Sequence, residues 1–110
     1  MVGERNRKIS NPKVRKFVER VKKEFKPSAF YLFGSRAGND FMNYSDWDFL
    51  IVSRKFEGLS FRDRIDEVLK LVDYPVGQDI EPLCYTLKEF NERKQGLNIV
   101  SEAVEKGIKV

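Results

Sequence analysis

Leu32-Phe33-Gly34-Ser35-Arg36-Ala37 and, seven residues beyond Ala37, Tyr44-Ser45-Asp46-Trp47-Asp48-Phe49-Leu50-Ile51-Val52 decide the fold of this sequence. The first half closes a short apolar run, Ala29 to Phe33, which reads as a buried strand stopped by Gly34. A glycine there permits a tight turn and a close approach of backbone to a ligand. The hydroxyl of Ser35 then stands at the start of an expected helix, a place suited to phosphate oxygens. The second half reads as a second strand. Asp46 and Asp48 are two apart, so on a strand they share a face. Two neighbouring carboxylates repel unless a cation neutralises them, and hard divalent ions take such oxygens and bridge them to phosphates.

Outward from this block the punctuation is clear. Upstream, Asn11 is an N-cap, Pro12 suits the first helical position, and Val14, Phe17, Val18, Val21 and Phe25 follow at helical spacing. That helix should end near Lys26, before Pro27. Downstream, Ser60-Phe61-Arg62-Asp63 opens a second helix carrying Ile65, Val68, Leu69 and Val72, which Pro75 and Gly77 should end. Asp79 to Tyr85 reads as a third strand. Thr86-Leu87-Lys88-Glu89 opens a third helix interrupted by Gly96. Ile99, Val100, Ala103 and Val104 form the buried side of a last helix closed by Gly107, and residues 108–110 suit a closing strand. The order α-β-β-α-β-α-α predicts an α/β (α+β) fold: a small mixed sheet with helices mainly on one face. Residues 1–110 read as one domain, with 1–10 a flexible basic N-terminal segment.

Composition narrows the chemistry. The chain of 110 residues has no histidine and one cysteine, Cys84. Histidine triads, histidine bases and internal disulfides are thereby excluded, and a reducing cytoplasm is expected. No apolar run approaches the roughly 18 residues of a membrane span, so no membrane association is expected. Residues 1–26 carry ten basic and three acidic side chains, a net of +7, while the remainder carries −3. A basic helix can attract nucleic acid, but no aromatics interleave with these charges as stacking platforms. The solvated-face reading is therefore preferred.

The block at 32–52 resembles the signature of the DNA polymerase beta-like nucleotidyltransferase superfamily, Gly-Ser-x-Ala followed after a gap by Ser-Asp-x-Asp. It is most similar to the minimal, single-domain members. These carry Arg-Gly after the alanine, where this chain has Gly38 and Asn39. The resemblance implies transfer of a nucleoside monophosphate, AMP from ATP, to an acceptor hydroxyl. It assigns phosphate contacts to Gly34, Ser35, Arg36 and Ser45, and one or two Mg²⁺ ions to Asp46 and Asp48. A third carboxylate falls at Glu81, where the family more often has Asp, with Asp79 as the backup. Glu81 would complete the site and help to deprotonate the acceptor. Minimal members commonly pair with a small helical HEPN protein in a toxin–antitoxin module, which implies such a partner here, with this chain as the antitoxin; association into a homo-oligomer is left open. Two readings of other classes stand beside this one. The fold could serve as a binding module that sequesters a partner without catalysis, or the basic first helix could bind nucleic acid.

Overall fold

The computed structural model describes residues 9–38, 46–77 and 79–110. Four helices, α1 (Pro12–Phe25), α2 (Phe61–Leu69), α3 (Leu87–Arg93) and α4 (Ile99–Lys106), accompany a four-stranded sheet. Its strands are β1 (Ala29–Phe33), β2 (Trp47–Val52), β3 (Ile80–Tyr85) and β4 (Ile108–Lys109), in the spatial order β3-β2-β1-β4. β1 runs antiparallel to β2 and β4, whereas β2 and β3 are parallel, joined by a crossover through α2. The sheet is therefore mixed, as the order of elements predicts.

Local chemistry sets the ends of these elements. The Asn11 side chain accepts the N–H of Lys13, Pro12 occupies the first turn, and α1 stops where Lys26 turns left-handed at φ 44°. Val14, Phe17, Val18 and Val21 are buried, each contributing about 1.5–3 kcal/mol. Thr86 and Glu89 form both bonds of a capping box at α3. α2 ends at Leu69, well before Pro75. The amides of Leu71 and Val72 bond back only three residues, and the Arg20 guanidinium takes the Leu71 carbonyl at 3.1 Å. Those bonds tighten and cap the last turn in place of a further helical one.

The helices divide between the two faces of the sheet. The larger core lies under α1 and α2 and contains Phe30, Leu32, Trp47, Phe49, Ile51 and Cys84. A smaller core on the opposite face joins Tyr31, Leu50, Val52 and Tyr85 to Phe90 of α3 and Val100 and Ala103 of α4. The two longer helices, α1 and α2, share one face, and the shorter α3 and α4 add a second layer on the other. β2 explains the second layer, because Phe49-Leu50-Ile51-Val52 is fully buried on alternate sides, and a strand buried on both faces needs cover on both. Gly107 closes α4, and a Cβ there would press on the carbonyls of Ala103 and Leu32, so its absence lets β4 dock on β1.

The basic first helix spends part of its charge locally. Lys13 Nζ donates to the Pro75 carbonyl at 2.9 Å and Arg15 to the Ile9 carbonyl at 2.8 Å. With Arg20 on Leu71, three of its cations serve as ties to the backbone. None of the described helices is long and apolar enough to cross a membrane.

Candidate functional site

The parity of β2 separates two kinds of residue. Trp47, Phe49 and Ile51 enter the larger core, and Leu50 and Val52 the smaller one. Asp48 shares the face of Leu50 and Val52 at the entering end of β2, where no core residue covers it fully. β3 runs alongside in register: Trp47 pairs with Ile80 and Asp48 with Glu81. The Trp47 amide donates to the Asp79 carbonyl at 2.9 Å, so the residue before each strand is also aligned. Asp46, Asp48, Asp79 and Glu81 are thus gathered at one end of two neighbouring strands.

Carboxylate oxygens of Asp46, Asp79 and Glu81 lie within 4.8 Å of one another. Asp48 adjoins this group. Burial, a hydrogen bond with Glu81 and the charges of Glu81 and Asp46 push its carboxyl up from 3.8 to about 6. Such an elevation is the response of a carboxylate to burial beside like charges. The donor set is oxygen alone and strongly anionic, which suits a hard divalent cation such as Mg²⁺. The sequence named Glu81 as the third carboxylate and Asp79 as its backup; the structure brings both into the cluster, with Glu81 level with Asp48.

Gly34 to Ala37 form a single 3-10 turn rather than the expected longer helix. One such turn lacks the dipole of a full helix, so an anion there would be met by individual N–H groups and the Ser35 hydroxyl. Gly34 sits at φ +72°, and a Cβ at this position would collide with Oδ2 of Asp48. The glycine therefore serves twice, as a left-handed turn and as the space that admits the carboxylate. Gly34 and Ser35 are exposed at the rim. Arg36 differs: it is 3% exposed, with its guanidinium carbon 4.1 Å from the centroid of the Trp47 ring. Burial lowers its pKa while the charge of Asp46 raises it. Arg36 is thus lodged beneath the carboxylates, stacked on an aromatic face. Ser45, together with Asn39 and Tyr44, lies outside the described residues. Cys84 is buried, and burial pushes its thiol up to about 12, which makes it a core residue without nucleophilic character.

Two features were missed by the sequence reading. The Arg36–Trp47 stack joins residues eleven apart across the loop, and nothing in either neighbourhood signals it. A cleft of about 470 Å³ opens between the Gly34 turn and α4, lined in part by Phe33, Ile99, Glu102 and Lys106. The sequence places Ile99 on the buried side of the last helix, whereas it is 47% exposed beside this cleft, because Val100 and Ala103 make the core contacts of α4.

The nucleotidyltransferase domain model matches residues 14–110. No curated protein sequence gives a significant match. Among solved structures, a candidate nucleotidyltransferase from Sulfolobus solfataricus is similar, with a TM-score of 0.58 and 23% identity, covering 89% of this chain and 96% of that one. BolA1 from Arabidopsis thaliana matches with a TM-score of 0.56 and 22% identity, covering 74% of this chain and 98% of its own. The BolA domain of SufE1 from the same plant matches at 0.54 and 21%, covering 81% and 99%. At these identities the structural likenesses concern the fold.

Proposed function

This chain belongs to the nucleotidyltransferase domain family, and from that premise we propose that it transfers AMP from ATP to an acceptor hydroxyl with Mg²⁺ as cofactor. The observation that supports this most is the register of Asp48 with Glu81, which joins four carboxylates beside a glycine turn shaped around one of them.

In this reading Asp46, Asp48 and Glu81, with Asp79 beside them, hold the metal. Bound Mg²⁺ supplies neutralisation of the carboxylates and of the triphosphate, and polarises the phosphate under attack. Ser35 donates its hydroxyl hydrogen to a phosphate oxygen, and the N–H groups of the 34–37 turn hold the triphosphate tail; Ser45 adds a further contact. Arg36 steadies Asp46 from below, through the charge and the aromatic stack already described. The acceptor oxygen attacks the α-phosphorus and the bond to the leaving pyrophosphate breaks. Glu81, exposed at the rim, accepts the acceptor's proton. The acceptor hydroxyl belongs to a second molecule in this reading. We place it on a small helical HEPN-type protein, with this chain as the antitoxin of the pair; this rests on the family resemblance alone.

The experiment is transfer of label from α-labelled ATP to a co-expressed neighbouring protein. Glu81→Gln is expected to lose turnover at least 100-fold with little change in nucleotide affinity, as for a group whose contribution appears in the transition state. Asp79→Asn should lose much less. The reverse order would move the third carboxylate to Asp79, and the absence of transfer by wild type would end the enzymatic reading. A second reading, a binding module without turnover, draws on the fold shared with the two BolA structures. It predicts capture of the partner with no label transferred.

A further inference from the structure

We propose that the cleft between the Gly34 turn and α4 holds the nucleoside of the triphosphate, with Ile99 under the base and Glu102 and Lys106 at its polar edge. The inference rests on the reading of the carboxylate cluster as the site of the metal and triphosphate. Gly34 links the two places. It lines the cleft, and it is also the residue whose missing side chain makes room for Asp48. A ligand with its anionic end at the carboxylates and turn therefore has its neutral end beside this cleft.

The volume, about 470 Å³, lies in the range of small-molecule sites. Phe33 supplies an apolar wall, and Ile99 another. Residues 99, 102 and 106 follow the spacing of one helical face, so α4 presents an apolar side chain and then a polar pair along the cleft. Ile99 is not required there by packing, since the core of α4 is made by Val100 and Ala103. Glu102 and Lys106 stand 4.0 Å apart with both side chains largely exposed. A pair so long and so wet holds its partners weakly, and either member is free to exchange its contact for a ligand's. A carboxylate accepting a hydrogen beside an ammonium donating one complements a base that carries an exocyclic amine next to a ring nitrogen. Adenine has that edge; hypoxanthine exchanges the two, with an acceptor oxygen where adenine has the amine and an N–H where adenine has the acceptor nitrogen, so the same pose mispairs both groups.

Calorimetric titration in Mg²⁺ with ATP, ITP and inorganic tripolyphosphate tests this. Wild type should bind ATP more tightly than tripolyphosphate or ITP. Ile99→Ser, which keeps the Asn98 cap, should weaken ATP about tenfold, the order expected for one lost apolar contact, and leave tripolyphosphate unchanged. Glu102→Ala should abolish the preference for ATP over ITP. The inference alone is overturned if ATP and tripolyphosphate bind equally to wild type, or if Ile99→Ser weakens both ligands alike or neither. Failure of wild type to bind either ligand overturns the metal–triphosphate reading beneath it, and this inference with it.

Discussion

Charged groups flank β2 and β3 at both ends, and the two ends are built on opposite principles. At the far end, Arg64 of α2 is 7% exposed and fully engaged. It donates to the carbonyls of Leu59 and Cys84 at 3.0 and 3.2 Å and makes two bonds to the Glu89 carboxylate, at 2.7 and 3.3 Å. Glu89 in turn accepts the N–H of Thr86 at the start of α3. Arg64 and Glu89 thus partner each other, and the pair ties α2, β3 and α3 together. At the entering end, Asp46, Asp48, Asp79 and Glu81 face one another, with Arg36 beneath as the cation that interacts with Asp46. One end pairs its charges within the chain; the other gathers like charges side by side. The contrast teaches which charges the fold needs and which it tolerates for another purpose.

The largest effect that would sharpen this contrast is at the acidic end. Asp46→Asn or Asp48→Asn should reduce Mg²⁺-dependent binding of ATP by 100-fold or more while the protein stays folded, as read by calorimetry. At the neutralised end, Arg64→Ala should cost about 2–3 kcal/mol of stability in urea unfolding, since it strands a partly exposed Glu89 and two carbonyls. Metal affinity should be unchanged by it; a loss of metal binding would break the separation of roles. Gly34→Ala should cost about 1–2 kcal/mol from its left-handed backbone, and should also displace Asp48 and weaken the metal site.

The smallest effect is in pH, and there the two ends have opposite signs. The hydrogen bond from Arg64 is the main cause holding the Glu89 carboxyl below its usual value of 4.5, so its contribution is present above that value and is lost as pH falls through the lowered one. Asp48 is held above its usual value. Without metal, its ionisation therefore costs stability progressively as pH rises from about 3.8 to about 6, and the full cost persists above that window. The difference in stability between Asp48→Asn and wild type, followed by urea unfolding from pH 4 to pH 7.5 in a chelator, should grow with pH in favour of the variant. A flat difference would mean that neither burial nor the neighbouring carboxylates hold Asp48 above its usual value.

Local signals carried most of this fold. Asn11 and Pro12 mark the start of α1, Thr86 and Glu89 the start of α3, and the alternation along β2 and β3 groups Asp46 with Asp48 and Asp79 with Glu81. The choice of Glu81 over Asp79 comes from the family resemblance, and the pairing of Glu81 with Asp48 is set by the strand register. What the sequence hides is set by partners distant along the chain. Arg64 and Glu89 are 25 residues apart, and the Arg20 bond that helps to end α2 spans 51. The Gly34 turn reads locally like the start of a helix, yet the chain leaves it after one 3-10 turn. The second helical layer was legible in principle, because four consecutive apolar residues in β2 require cover on both sides.

Thermal unfolding at pH 7.5 with and without Mg²⁺ and ATP tests the claim that the acidic end is a site for a metal and a nucleoside triphosphate. At 100 times its dissociation constant a ligand adds about 2.7 kcal/mol, which for a domain near this size is a rise in Tm of roughly 10 °C. Wild type should show that rise with both present, and Asp48→Asn should show none despite its higher starting Tm. An equal rise in both proteins, or no rise in wild type, would contradict the account.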